Sequence, residues 1–101
     1  MNLSSLNQAR ELKSRLDKAQ KELSDTIVEA SSGKGAVKVT VDGQKRIKSV
    51  KISPQVINLE KPELLEELVL KAVSEALAKS QKVAAKQLRS LTGGLKIPGI
   101  S

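Results

Sequence analysis

The sequence predicts an α+β fold in which two long helices flank a small three-stranded antiparallel sheet, in the order α-β-β-β-α. Apolar residues recur at helical spacing near both ends of the chain and alternate with polar residues in the middle. An Asp-Gly pair at 42–43 separates two of the alternating runs, which is a strong hairpin signal. The chain has 101 residues, so we expect a single domain over 1–101.

The first predicted helix covers residues 3–24. Leu12, Leu16, Ala19 and Leu23 follow 4-3-4 spacing, which gives a narrow apolar stripe with charged residues on both flanks. Neither Gly nor Pro interrupts this stretch. Because the stripe is too narrow for a deep core, we expect this helix to pack against one other helix.

The predicted sheet lies within residues 26–53. Its alternating apolar residues are Val37, Val39, Val41, Val50 and Ile52. Alternation of this kind places one face of a sheet on a core and the other in water. The stretch SSGKG at 31–35 is predicted to be a second turn, which follows a weaker first strand around 26–30.

The second predicted helix covers residues 62–91, and a helix of that length spans about 45 Å. Pro62 suits its first turn, where a missing backbone N–H costs nothing. Apolar residues come in pairs from Leu64 to Leu77, and the apolar stripe narrows after Ala78. We therefore expect the C-terminal part of the helix to project beyond the sheet. Residues 92–101 are predicted to be a short tail.

The core is expected to be thin, because the sequence contains no Phe, Tyr or Trp. Aromatic side chains bury roughly 150–250 Å² each, and small domains without them are commonly stabilised by oligomerisation. We expect a homodimer. The residues predicted for the buried surface or the dimer interface, from the paired apolar stripe, are Leu68, Val69, Ala72 and Val73.

No catalytic, cofactor-binding or metal site is predicted. The sequence has no Cys and no His, so the commonest general base and the commonest metal ligand are both missing. The GKG stretch at 33–35 lacks the spacing of a phosphate-binding loop. We expect neither an enzyme nor a small-molecule substrate. Because no apolar segment resembles a signal peptide or a membrane span, the expected location is the cytoplasm and no membrane partner is expected.

Positive charge is the main functional signal, with 18 basic and 11 acidic residues and a formal net charge of +7. Small basic proteins tend to bind polyanions, although excess Lys can also serve solubility alone. A basic stripe with 3-4-3 spacing lies on one face of the second helix. The predicted phosphate contacts are this stripe and two residues of the first helix, namely Lys79, Lys82, Lys86, Arg89, Arg10 and Lys13.

Other interpretations of these cations stay open. A charged stripe is often only a solvated helix face, and cations near a helix C-terminus are favoured by the helix dipole. That dipole effect fades within roughly the last turn, so it does not account for Lys79 or Lys82. For Lys38 and Lys51 in the sheet, protection of exposed strand edges is the favoured interpretation, with nucleic-acid contact second.

Three stretches of the chain resemble the YbaB/EbfC family of bacterial nucleoid-associated proteins. They are GAVKVTVDGQKRIKSVKISPQVI, PELLEELVLKAVSEALAKSQK and GGLKIPG, and the resemblance covers roughly residues 25–100. It implies an α-β-β-β-α protomer, a tight homodimer with helices protruding like tweezers, and a role in nucleoid organisation or gene regulation. It also implies binding to double-stranded DNA with little sequence preference. No DNA-contact residue carries over from the family.

Two alternatives to DNA binding stay open. The helices could clasp a protein partner, or the basic surface could bind structured RNA. The lack of aromatic residues disfavours stacking on single-stranded bases, so duplex or folded RNA would be the form expected.

Overall fold

A computed structural model describes residues 3–92, and it confirms the predicted order α-β-β-β-α. The elements are α1 (Leu3–Asp25), β1 (Ile27–Ser32), β2 (Val37–Asp42), β3 (Ile47–Ile52), a 3₁₀ turn (Pro54–Val56) and α2 (Pro62–Thr92). The tail predicted at 92–101 lies outside the described residues, except that Thr92 is the last residue of α2.

The sheet has the strand order β1-β2-β3 with antiparallel pairing throughout, so β2 is the central strand. Val39 lies opposite Ala30 of β1 and Val50 of β3, and these residues belong to the inner face of the sheet. The β2–β3 register shifts by one residue after Thr40, which leaves Lys48 as an extra residue on β3. Such a bulge bends the edge strand and disturbs the local pairing.

Helix α2 covers the inner face of β1 and β2. Ala72 and Ala76 of α2 are fully buried against Val37, Val39 and Val41 of the central strand. Small side chains at this contact let the helix approach the sheet closely, and the resulting core is as thin as the absence of aromatic residues predicts.

The inner face of β3 stays largely uncovered by the described chain. Ile47, Val50 and Ile52 continue the apolar face of the sheet, yet 50%, 44% and 36% of their surfaces are exposed. The reason is geometric. Helix α2 contacts the sheet through the small side chains of Ala72 and Ala76, and it is wide enough to cover β1 and β2 but not β3. The pattern of alternation predicted the apolar face correctly but could not predict that part of it remains open.

The molecule is strongly elongated, with extents of 69 × 25 × 18 Å. Its radius of gyration is 19.5 Å, compared with about 13 Å for a compact domain of this length. The cause is a mismatch of lengths. Helix α2 has 31 residues and spans about 46 Å, whereas strands of six residues span about 20 Å. The helices therefore extend beyond the sheet, as the sequence predicted.

Candidate nucleic-acid interface

The two helices meet the sheet at the turn between β2 and β3. The Gly43 N–H donates to the carbonyl oxygens of Leu23 at 2.8 Å and Thr26 at 3.0 Å, and the Gln44 side-chain amide donates to the Gln20 carbonyl at 3.1 Å. Carbonyl groups in the last turn of a helix lack intrahelical partners, so the turn satisfies the end of α1. A Cβ atom at position 43 would lie only 2.6 Å from the Leu23 carbonyl oxygen. Glycine is therefore required for this close approach.

The turn itself is held by Asp42, whose side chain has no accessible surface. Its Oδ1 accepts hydrogen bonds from the backbone N–H groups of Gln44 at 2.8 Å and Arg46 at 3.0 Å. Its Oδ2 accepts no hydrogen bond and lies 3.8 Å from the Lys48 ammonium. The Arg46 N–H lowers the pKa of Asp42 most, and the Gln44 N–H and the two nearby cations act in the same direction, which together outweigh the opposing effect of burial.

Ser80 fastens α2 to the same turn. Its buried hydroxyl donates to the Asp42 carbonyl oxygen at 2.7 Å and accepts from the Lys45 N–H at 3.2 Å. The turn at 42–46 thus holds the C-terminal end of α1 and the middle of α2 together. Residues of α2 that follow Ser80 extend past the sheet.

Beyond this joint the helices pack on each other in antiparallel orientation. Leu16, Ala19 and Leu23 of α1 face Ala84 and Leu91 of α2 across an apolar seam. The Gln87 side-chain amide donates to the Glu22 carboxylate at 2.6 Å. The stripe of α1 therefore packs on a single helix, as its width predicted. We call the paired segments, residues 16–23 of α1 and 82–91 of α2, the arm.

The predicted basic stripe divides between the body and the arm. The Lys79 ammonium donates to the Glu29 carbonyl oxygen of β1 at 2.7 Å, which holds this side chain against the edge of the sheet. Lys82 and Lys86 are exposed on the arm, one helical turn apart. Arg89 is also exposed on the arm. Lys79 thus differs from Lys82 and Lys86 in carrying a hydrogen bond to the sheet.

Arg10 and Lys13 do not share the surface of α1 that borders α2. At 100° per residue, Arg10 lies about 180° and Lys13 about 120° around α1 from the buried Ala19. Lys18 and Arg15 instead border the groove between the helices, opposite Ser90 of α2. Arg15 is paired with Glu11 at 2.8 Å, whereas Lys18 is a further exposed cation of α1 that was not among the predicted contacts. The contacts predicted for Arg10 and Lys13 stay predictions.

Ser90 lines the groove, whereas Lys82 and Lys86 lie about 160° around α2 from Ala84, which faces α1, and so stand on the outer side of the arm. Lys82 and Lys86 follow one another at an interval of four residues, so they form one row along the helix. Lys18 approaches the same groove from α1, where Glu22 contributes a negative charge. The arm therefore offers a short row of exposed cations on the outer side of α2 and, separately, a groove of mixed charge between the two helices.

The four residues predicted for the buried surface or the dimer interface differ in their exposure. Ala72 has no accessible surface in the isolated chain, because the sheet of its own protomer encloses it. It thus has no area to offer a second copy. Leu68, Val69 and Val73 are partly buried against the core. An apolar groove on the outer flank of α2 includes Val69 and Val73, and its most exposed apolar residue, Leu70, was missed by the sequence analysis.

Within residues 3–92, no cluster of three or more acidic, His or Cys side chains could hold a metal ion. No helix of the described part of the chain is long and apolar enough to cross a membrane. The features described above define an elongated α+β protein that presents exposed cations on a paired helical arm.

Comparison with known proteins assigns the chain to a family. A model of the YbaB/EbfC DNA-binding family matches residues 1–95, and the chain belongs to that family. It is 39% identical over 95 residues to a nucleoid-associated protein of Thermoanaerobacter pseudethanolicus, with 94% of this chain and 86% of that protein covered. It is also 39% identical over 91 residues to a nucleoid-associated protein of Chloroflexus aurantiacus, with 90% and 91% covered.

A solved structure shows the same fold. It is the crystal structure of an uncharacterized Helicobacter pylori protein, which superposes with a TM-score of 0.79 over 92% of this chain and 99% of that one, at 20% identity. The family resemblance carried by the three sequence stretches and the predicted fold class are both confirmed.

Proposed function

We propose that this protein is a nucleoid-associated homodimer that binds double-stranded DNA through phosphate contacts from its arms, with little reading of base sequence. Its role is then nucleoid organisation or gene regulation. One observation carries the proposal, namely the exposed row of Lys82 and Lys86 on the part of α2 that extends past the sheet. Membership of a DNA-binding family and the names of the relatives supply the class of partner.

The row suits a nucleic-acid backbone for electrostatic reasons. Duplex DNA presents a regular series of phosphates, and Lys side chains that neutralise them release condensed counterions. Contacts of this kind fix position without distinguishing bases. Lys82 and Lys86 lie ten and six residues before the end of α2, too far for the helix dipole to be the reason for both. Arg89 continues the predicted contact surface toward the end of α2.

Two uncovered apolar surfaces of the protomer support the homodimer. They are the outer flank of α2 and the open inner face of β3. Lys79 reaches β1, so the opposite flank of α2 faces β3. Val73 lies about 120° around the helix from Lys79, on that flank. It therefore adjoins the open inner face formed by Ile47, Val50 and Ile52. A second copy placed here would cover both surfaces by a twofold contact, and the dimer would carry two arms. Two arms that reach one duplex gain affinity through effective concentration.

The test is a titration of labelled duplex DNA at several salt concentrations with the triple variant K82Q/K86Q/R89Q. We expect weaker binding to all duplexes alike and a salt slope that is flatter by about 0.9 per lost phosphate contact. The matched control neutralises three exposed lysines that lie outside the arm, in K45Q/K61Q/K71Q, and should retain the wild-type slope.

Unchanged binding by the arm variant would remove the arm from the mechanism. Wild-type protein that prefers duplex RNA in direct competition would favour the RNA alternative. Negligible and salt-insensitive DNA affinity would favour a protein-binding module instead.

A further inference from the structure

A second basic surface lies on the outer face of the sheet, the face turned away from α2. Lys38 of β2 stands directly opposite Lys51 of β3, and both side chains are exposed. Ser31 of β1 completes the row across the sheet. Lys34, in the turn between β1 and β2, is exposed at the same end of the sheet. We call Lys34, Lys38 and Lys51 the sheet lysines.

Protection of strand edges does not explain this row. Lysines blunt exposed edges by standing on edge strands, where they obstruct pairing with another chain. Because the strand order is β1-β2-β3, Lys38 stands on the central strand, whose two edges are already paired. The interpretation favoured from sequence therefore fails for Lys38, although it still applies to Lys51 on the edge strand β3.

The row also costs stability in the isolated chain. Like charges directly opposite each other on paired strands repel, and lysine is a poor strand residue in any case. Two strand residues carry negative charge. Asp42 is enclosed and lies near Lys48, and Glu29 stands one row away, opposite Thr40. An anion between Lys38 and Lys51 would remove the repulsion.

The neighbouring positions suit phosphate oxygens as well. Thr40 and Ser49, in the next row, share a hydrogen bond of 2.6 Å between their hydroxyl groups, and such hydroxyls are common phosphate ligands. The turn that carries Lys34 is fixed on α2, because the Ser32 hydroxyl donates to the Leu68 carbonyl oxygen at 2.6 Å. Lys34 therefore projects from an anchored support.

This surface and the arm lie at opposite ends of the body. The turn after β1 contacts α2 at Leu68, whereas the joint of the arm contacts α2 at Ser80. Twelve residues of helix separate these points, or about 18 Å. In addition, α2 packs on the inner face of the sheet, so the outer face lies on the opposite side of the molecule from α2. Lys82 lies about 120° around α2 from Ala76, which faces the sheet, so Lys82 points away from the side of the molecule that carries the sheet lysines. A straight duplex seated on Lys82 therefore does not reach the sheet lysines.

We propose that the sheet lysines bind the phosphate backbone of a second duplex, so that one protein particle holds two DNA segments together. The choice of DNA as the polyanion rests on the proposed function. The physical basis of this second site is independent of the arm. It is an uncompensated cationic row on an open sheet face, at a position that edge protection does not account for.

The test is a bridging assay with two duplexes, one biotinylated and held on beads, the other fluorescent and free in solution. Wild-type protein should retain the fluorescent duplex on the beads. The variant K34Q/K38Q/K51Q should retain it only at background, while its affinity for a single duplex changes by less than about threefold at low salt, because the arms remain. The control K45Q/K61Q/K71Q, which removes the same charge outside the arm and the sheet lysines, should bridge like the wild type.

The possible outcomes distinguish the failure of the bridging site from the failure of the arm proposal. Wild-type protein that binds a duplex but retains no second one would overturn the bridging site and leave the arm proposal standing. Equal bridging by wild type and K34Q/K38Q/K51Q would also overturn it, because bridging would then use other contacts. Wild-type protein that binds no duplex would overturn both. Circular dichroism of each variant checks folding, and K38Q alone should melt no lower than wild type because it relieves repulsion.

Discussion

The two halves of α2 differ in what surrounds them rather than in their tendency to form a helix. Ala72, Ala76 and Ser80 in the first half are fully buried under the sheet, whereas Lys82, Lys86 and Leu88 in the second half are exposed. The sheet ends where Ser80 bonds the β2–β3 turn, and the helix continues. The comparison teaches that strand length divides a single helix into a half that packs under the sheet and a half that projects beyond it.

The largest effect is expected where the comparison is tested directly with one substitution in each half. Ala76→Leu adds three carbon atoms to a fully buried contact with the sheet, and such overpacking costs about 3 kcal/mol at the upper end of its usual range. Ala85→Leu adds the same atoms to an exposed position on the arm and should change stability by less than about 0.5 kcal/mol. Urea unfolding of both variants measures the two values, and equal losses would refute the division.

A somewhat smaller effect is expected at the joint between the halves. Gly43→Ala places a Cβ atom against the backbone oxygen of Leu23, which no side-chain rotation can relieve. We expect a loss of about 1–3 kcal/mol and a change in the direction of α1. The loss should appear in urea unfolding, and the displaced arm should appear as a changed radius of gyration in small-angle X-ray scattering. A variant with wild-type values in both would show that the turn does not set the arm.

Substitutions on the open apolar face of β3, beside the first half of α2, should change dimerisation rather than folding. Val50→Glu places a charge on the open apolar face beside α2, and we expect the dimer dissociation constant to rise at least tenfold, or about 1.4 kcal/mol. Ile27→Glu alters an equally exposed residue on the outer face of β1 and serves as the control. Sedimentation velocity compares the two. A monomeric wild type, or equal weakening by both, would contradict the proposed dimer surface.

The smallest effect concerns pH and Asp42. Its pKa in the folded state is lowered, chiefly by the Arg46 N–H, so the folded state binds fewer protons here than the unfolded state. The contribution to stability is therefore present above the ordinary value of about 3.9 and is lost as pH falls through the lowered pKa. Between pH 5 and 3, the free energy of unfolding should fall more steeply for wild type than for Asp42→Asn, whose amide oxygen still accepts both backbone hydrogen bonds. Parallel curves would contradict this assignment.

The local patterns of the sequence were sufficient for the elements of the fold. Alternating valines predicted β2, and 4-3-4 leucine spacing predicted α1 and its packing on a single helix. Asp42-Gly43 predicted the hairpin because the pair suits a tight turn. The same pattern could not show that Gly43 is also required by the approach of α1, since that contact joins residues far apart in the chain.

The candidate sites were less predictable, for a related reason. Spacing placed Lys79 with Lys82 and Lys86 on one helix face. It could not show that the Lys79 ammonium donates to the Glu29 carbonyl oxygen at the edge of β1. Ala72 was assigned to the buried surface or the dimer interface because its apolar stripe was wide, and only the packed sheet shows that its own chain encloses it. Arg10 and Lys13 were chosen for charge, and their contact with DNA stays a prediction, because the side of α1 that faces α2 does not decide which surface meets a phosphate.

By itself, the sequence determined the order of elements, their approximate bounds, the excess of positive charge and the family. These properties depend on residue type and on spacing along the chain, which are local. Tertiary structure alone decided where α2 leaves the sheet, which cations stand on the arm, and that β3 keeps an open apolar face. It also placed Lys38 on the central strand opposite Lys51. Those facts depend on the strand order and on how much of the sheet one helix can cover. Neither can be read from residue spacing, because both arise from contacts between residues far apart in the chain.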